Sequence, residues 1–255
     1  MIRQVILVAI LALCMLAFNS TNAQKSVLQQ QQLWYACYNT LVFNKQWQLL
    51  TDVQERHFIN PTQQHQFLMR THLHYRTPNG WSIGAGGSLF IVGNAIPRNG
   101  KNLMVPELRP HIEFNHKTQS GLLGISHRYR FEARFFHNTT GSELAEGYTF
   151  GNFRARYRLG VEWPVKFASN TGLPLKLKLA DEVHLNFGGN ITYNTFDQNR
   201  IYLGLACDFL PDVLTLETGY LNWFQQRAAG NTYFMRHIFY VSVQQKIDLS
   251  AQKKL

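Results

Sequence analysis

Arginine and glutamate residues recur at every second position in several stretches of this 255-residue sequence. The clearest stretch is residues 121–136, GLLGISHRYRFEARFF, in which Arg128, Arg130, Glu132 and Arg134 alternate with mostly apolar residues. In a β-strand, side chains two residues apart lie on the same face, so these ionic groups would share one face. Guanidinium and carboxylate groups can form bidentate ion pairs there, and arginines in excess can attract anions.

The same alternation appears in residues 151–165 and 175–187. In the second of these stretches Asp181 falls among the apolar positions, which predicts a β-bulge or a strand twisted toward the interior. Two roles are open for the charged face: a packed network of ion pairs, which we favour, and a pore or pocket for anions. The candidate residues of this charged interior are Arg109, Glu113, Arg128, Arg130, Glu132, Arg134, Arg154, Arg156, Arg158, Glu162, Glu182, Arg200 and Glu217.

Two pairs of potential metal ligands have the same spacing, His72 with His74 and His111 with Glu113. A zinc ion needs three or four converging ligands. Arginines two residues before and after the histidine pair would repel an arriving cation. We therefore predict no metal ion and no cofactor, and histidines that only form hydrogen bonds in the interior.

No arrangement of residues indicates catalysis. Ser126 and His127 are adjacent, and adjacent residues of a strand face opposite sides, which argues against a nucleophile next to its base. The GxSxG motif and a glycine-rich phosphate loop with lysine are absent from the sequence. We predict that the protein is not an enzyme, and an outer-membrane enzyme that modifies lipids is the alternative from that class.

The elements that would position these ionic side chains are β-strands. Alternating segments of about ten residues, separated by turn residues, are the signature of a transmembrane β-barrel with an apolar lipid face and a polar interior. Eleven candidate strands can be marked between residues 32 and 247. Because bacterial single-chain barrels have even strand numbers, we predict an antiparallel barrel of about twelve strands, with ten as the alternative. A soluble exported ligand-binding barrel, with the two faces reversed, is a further alternative.

Aromatic residues lie near the ends of the candidate strands, as expected for the aromatic belts at the two membrane interfaces. All five tryptophans follow this pattern: Trp34, Trp47, Trp81, Trp163 and Trp223.

The connections between candidate strands are of two lengths, which predicts two different rims. In outer-membrane barrels the short turns face the periplasm and the longer loops face outward. The first connection, at residues 44–45, is a tight turn, whereas a periplasmic amino terminus would require an outward loop there. We therefore expect that the strand numbering near the amino end is imperfect.

The amino-terminal residues 1–23 have the composition of a cleaved signal peptide, with Arg3 before an apolar run and small residues up to Ala23. Residues 24–255 would then form a single barrel domain.

The chain has a formal net charge of +10, and its basic residues are interleaved singly with apolar ones instead of forming a patch. This pattern argues against nucleic-acid binding. Cys37 and Cys207 are far apart in the chain and are expected to be two separate thiols.

Several motifs resemble the DUF2490 family of exported proteins of unknown function, common in Bacteroidetes. They are HRYRFEARFF at 127–136, FRARYRLGVEWP at 153–164, LADEVHLNF at 179–187 and the string at 196–223 that begins FDQNRIYLGLACDFL. The resemblance extends over almost all of the chain after residue 23. It implies an outer-membrane β-barrel of a Gram-negative bacterium and implies no activity, substrate or cofactor. The chain departs from the usual barrel pattern at its end, SAQKKL, which has no terminal aromatic residue.

The combined prediction is an outer-membrane β-barrel with an arginine-rich lumen. Its role would be structural or that of a narrow, anion-favouring pore. Its partners would be outer-membrane lipid and small anionic solutes, while the sequence leaves the oligomeric state open.

Overall fold

The computed structural model describes residues 25–165, 174–189 and 191–250. The predicted signal peptide lies outside these described residues. The chain is all-β and forms one closed barrel. In chain order its strands are β1 (Ser26–Val42), β2 (Trp47–Phe58), β3 (Gln63–Arg76), β4 (Trp81–Val92), β5 (Val105–Ser120), β6 (Leu123–Thr140), β7 (Glu143–Pro164), β8 (Leu175–Phe187), β9 (Phe196–Leu210), β10 (Leu214–Gln226) and β11 (Thr232–Asp248).

The alternation in the sequence sets which face of each strand lies inside the barrel. In β9, Tyr202 and Ala206 point inward and are buried, whereas Ile201, Leu203 and Leu205 point outward and are about half exposed. The strands that carry arginine and glutamate follow the same rule, with the ionic residues inside. The barrel therefore has a polar interior and an apolar outer surface, which is the reverse of a soluble ligand-binding barrel.

Each strand pairs antiparallel with its sequence neighbours, but β1 and β11 close the barrel as a parallel pair. Their register runs without interruption from Ser26 opposite Thr232 to Val42 opposite Asp248. The prediction of twelve strands, with ten as the alternative, was wrong, because it relied on the rule that bacterial single-chain barrels have even strand numbers. With an odd number of strands, the first and last strands run parallel. A parallel ladder can also pair the backbone N–H and C=O groups of the two edge strands.

The odd strand number also places the two ends of the barrel sequence at opposite rims. We call the rim where β1 begins the amino rim and the rim where β11 ends the carboxyl rim. The 93–104 loop lies at the amino rim together with the short 59–62 and 141–142 turns, whereas the 43–46, 77–80 and 121–122 turns lie at the carboxyl rim with the ten-residue 165–174 connection. The predicted division into a rim of short turns and a rim of long loops is therefore wrong. The structure has a strand on each side of the tight first turn, so the expected error in strand numbering near the amino end is not found.

The tryptophans divide between the outer surface and the interior. Trp47, Trp81 and Trp163 lie on the outer surface near the carboxyl rim, each at least 40% exposed. Trp34 and Trp223 point inward and are only 3% and 2% exposed. The assignment of all five to outer belts was thus wrong for these two, because Trp34 lies in the middle of β1, and Trp223, although near the end of β10, is on the inward face.

Asp181 is exposed on the outer surface of β8 and accepts a hydrogen bond from Asn199 of β9. The pairing of β8 with β9 is regular there, and its register shifts instead between His184 and Leu185. The predicted bulge or inward twist at Asp181 is therefore wrong. Within the described residues, no helix has the length and apolar composition needed to cross a membrane.

The parallel closure can be tested by a cross-link at Cys37, which lies opposite Val243. In a background with Cys14 and Cys207 replaced by serine, Val243→Cys should form an oxidative cross-link with Cys37, because paired strands are about 4.8 Å apart. The product is measured as a reducible shift of the monomer on non-reducing electrophoresis. The control Ile247→Cys lies four residues further along β11, about 13 Å away, and should stay unlinked. Failure of the Val243→Cys variant to cross-link would contradict the parallel pair.

Candidate functional site

The lumen contains a cavity of about 900 Å³. At the carboxyl rim its wall includes Lys117, Thr118 and Gln119, whose side chains are exposed to solvent. At the other end its wall includes Gly93 and Ala95 from the long loop. The cavity therefore extends along the barrel from an accessible mouth at the carboxyl rim.

Four aromatic rings fill the lumen toward the amino rim, and we call them the aromatic floor: Trp34, Phe58, His65 and Trp223. Their ring centres form a continuous chain, with 5.6 Å between Trp34 and Trp223, 5.9 Å between Trp223 and His65, and 4.6 Å between His65 and Phe58. Every one of them is buried, with at most 3% exposure. Trp34, His65 and Trp223 of the floor line the cavity toward its amino-rim end.

The long loop packs over the same end of the barrel. Gln30 of β1 donates from its side-chain nitrogen to the carbonyl oxygen of Ala95 at 2.9 Å, so the loop after β4 reaches across to β1. Asn102 donates to the carbonyl oxygen of Gln64 at 2.8 Å. These bonds hold the loop against the floor.

An ion-pair network occupies the middle of the barrel. Arg156 donates to Glu132 at 2.7 Å and to Glu182 at 2.8 Å, and Arg128 also donates to Glu182 at 2.8 Å. Glu132 is 2% exposed. A carboxylate this deeply buried needs compensating positive charge and hydrogen bonds, and the surrounding arginines supply both.

The network continues on β5 and β6. Arg109 binds both oxygens of Glu107, at 2.7 and 2.6 Å, and Arg134 donates to the same carboxylate. On the same pair of strands, Arg130 donates from Nε to Glu113 at 2.6 Å. Strand register explains these contacts, because Glu113 lies directly opposite Arg130.

All candidate residues of the charged interior lie on inward faces, but their burial differs. Glu162 is exposed at the mouth, where Lys178 approaches it to 3.5 Å. Those of intermediate burial are Arg128, Arg134, Arg158 and Arg200. Those that are buried are Arg109, Glu113, Arg130, Glu132, Arg154, Arg156, Glu182 and Glu217.

The alternation in β5 also places Glu107 inside, whereas two other carboxylates of the network were missing from the sequence prediction. Asp52 binds Arg70 at 2.7 Å, and its position between Gln48 and Arg56 on the same face of β2 was a usable signal. Asp197 lies 3.0 Å from Arg154. It could not be found by alternation, because the register shift between β8 and β9 buries Asp197 together with its neighbour in sequence.

Three further inward arginines have no carboxylate partner within 4.0 Å: Arg56 and Arg236, which are buried, and Arg200, which is half-buried. Their guanidinium groups stack on Trp34 and Trp223 of the aromatic floor. Alternation placed Arg200 inside. Arg236 was missed because its neighbours on the inner face of β11 are mainly apolar.

The histidine residues form a separate cluster beside the network. His72, His74 and Glu113 have potential ligand atoms within 4.8 Å of one another, and His72 lies 3.1 Å from His111. Gly84 leaves room for the His74 ring, since a Cβ there would lie 2.4 Å from its Nε2. These are the described residues best placed to hold a metal ion. Arg130 already binds Glu113 and opposes a further cation there, so a site without metal remains our prediction.

The network can be tested with Glu132→Leu, which removes a buried carboxylate and leaves its arginines uncompensated. We expect a loss of about 3 to 5 kcal/mol in unfolding free energy, measured by urea unfolding in detergent micelles. Glu162→Leu is the matched control, because its side chain is 49% exposed; it should change stability by no more than about 1 kcal/mol. Equal unfolding midpoints for the two variants would contradict the network.

Comparison with known proteins supports the family suggested by the sequence motifs. A family model described as "Protein of unknown function (DUF2490)" matches residues 31–234, which includes all strands from the first to the start of the last. No curated protein and no solved structure matches the chain. The barrel with its charged lumen thus belongs to the DUF2490 family.

Proposed function

We propose that this protein spans the bacterial outer membrane and that its lumen is a vestibule for small anionic solutes. The observation that carries the membrane part is the distribution of side chains. Leucine, isoleucine, valine and aromatic residues cover the outside of a closed barrel, and ionic residues fill the inside. Water would solvate such an outer surface poorly, whereas lipid tails would solvate it well.

The three outer tryptophans support this proposal. Trp47, Trp81 and Trp163 share one rim and lie on the outer surface. Trp47 also packs edge-to-face against Tyr75, and Trp81 stacks on His116. Aromatic residues with polar edges are favoured where a membrane meets water. The carboxyl rim would then lie at one membrane interface.

The vestibule part follows from the cavity and its charge. Among the described residues, the carboxylates of the network are each held by at least one cation, whereas Arg56, Arg200 and Arg236 form no ion pair within 4.0 Å. Unmatched arginines in a lumen favour anions. Because these unmatched arginines lie beside the aromatic floor, an entering anion would be bound there.

The membrane assignment can be tested with a charge on the outer surface. Leu203 lies midway along β9 and is 50% exposed, and Phe209 lies near the end of the same strand and is 54% exposed. Leu203→Arg should reduce insertion into lipid vesicles by about 2 to 4 kcal/mol, and Phe209→Arg by no more than about 1 kcal/mol. Insertion is measured as the fraction whose mobility in SDS shifts on boiling.

A soluble barrel would give a different result. The unmodified chain would then be recovered without detergent and would show no heat-dependent shift, and both arginine variants would behave alike. That outcome would overturn the membrane assignment.

A further inference from the structure

The aromatic floor carries an unusual concentration of uncompensated positive charge. The Cζ atom of Arg56 lies 3.9 Å from the ring centre of Trp34, and those of Arg200 and Arg236 lie 4.6 and 4.3 Å from the ring centre of Trp223. Arg200 also lies 5.5 Å from the Trp34 ring, so the two rings join all three guanidinium groups into one stack. Cation–π contact recovers only part of the cost of burying an unpaired charge.

The hydrogen bonds of Arg56 and Arg236 do not neutralise their positive charge. Each donates to the side-chain oxygens of two glutamines, at distances from 2.6 to 2.8 Å. These amides are neutral and fix the direction of the guanidinium groups without cancelling their charge. The two arginines are therefore held in position by polar contacts and remain cationic centres beside the cavity.

Arg200 is different because it makes no hydrogen bond and no ion pair with any described residue. Its Nε is buried without a partner, and its side chain lines the cavity. The indole N–H of Trp223 is likewise buried without an acceptor, in a side chain that is 2% exposed. Buried polar groups are nearly always hydrogen-bonded, so a set of unpartnered donors at the bottom of an accessible cavity points to a missing acceptor.

We propose that Arg56, Arg200 and Arg236, with Trp34 and Trp223, form a binding site for a small oxyanion of the phosphate or sulfate type. The site deepens the proposed vestibule function by naming the class of solute and the place where it binds. An oxyanion there would supply negative charge to three arginines and acceptor oxygens to the free donors. Lys117 and Lys178 line the same cavity nearer the carboxyl rim and would attract an anion to the mouth.

The chemistry of the site also predicts its selectivity. Guanidinium and indole groups donate hydrogen bonds and accept none. A site made of donors favours an anion that only accepts, so sulfate should bind at least as tightly as phosphate at pH 7. Chloride has a single charge and no array of oxygens, and it should bind more weakly than either.

The test is calorimetric titration of the full chain, folded in detergent at low ionic strength, with sodium sulfate. We expect saturable binding of about one sulfate per barrel, and weaker binding of chloride. Arg200→Met should weaken sulfate binding about tenfold or more, because it removes a charged donor. The substitution breaks no hydrogen bond of the folded chain, because Arg200 makes none with the described residues. Arg200→Lys keeps the charge with fewer donors and should bind with intermediate affinity.

Arg76→Met is the matched control, since Arg76 lies at the carboxyl rim, is exposed and does not contact the aromatic floor. It should change sulfate affinity by about twofold at most, as expected for an exposed charge. Equal weakening by Arg76→Met and Arg200→Met would indicate diffuse attraction by the lumen and overturn the site.

The outcomes separate this site from the membrane proposal. If the chain shows the heat-dependent mobility shift but no saturable sulfate binding, the site is wrong and the membrane barrel stands. If a chain recovered without detergent binds sulfate and Arg200→Met abolishes the binding, the site stands and the membrane proposal is wrong.

Discussion

Pairing between buried guanidinium and carboxylate groups determines what the inner face of this barrel can contain. A closed sheet leaves its inward side chains little water, so each charge there needs a partner supplied by a neighbouring strand. Strand register provides such partners: Glu113 lies opposite Arg130, and Asp52 lies opposite Arg70. A shift of one residue in any of these pairings would turn the ionic residues toward the apolar exterior. The ion pairs therefore stabilise one register as well as the interior.

The positive charge of the inward arginines is stabilised differently in the two halves of the lumen. In the middle, arginines bind carboxylates in a network that links several strands. Near the amino rim, arginines stack on tryptophans and donate to neutral glutamine side chains. The ion pairs in the middle neutralise the positive charge of the arginines. The contacts near the amino rim fix the direction of the guanidinium groups and leave their positive charge available to a solute. This contrast is why the aromatic floor, and not the more conspicuous ion-pair network, is the better candidate for binding a solute.

The sequence alone was sufficient to predict the all-β class, the closed barrel and the inward side of most ionic residues, because a period of two is a direct consequence of strand geometry. It was not sufficient for features that depend on how whole strands pair in three dimensions. Trp223 is near a strand end like the outer tryptophans, whereas Trp34 is in the middle of β1, which begins at Ser26. Only the register of the whole strand shows that both point inward. Asp197 was hidden by an irregular pairing between β8 and β9. The strand number failed for a different reason, since the eleven segments were visible but a rule about even numbers was given more weight.

The parallel pair of β1 and β11 has a consequence for topology. In a barrel with an even number of strands, the segments before the first strand and after the last one emerge on the same side. Here Ser26 begins at one rim and Asp248 ends at the other. In a membrane, the chain on either side of the barrel would therefore face two different compartments. A label or a protease confined to one compartment would reach only one end of the polypeptide, so a fusion at each end would report on a different side of the same protein.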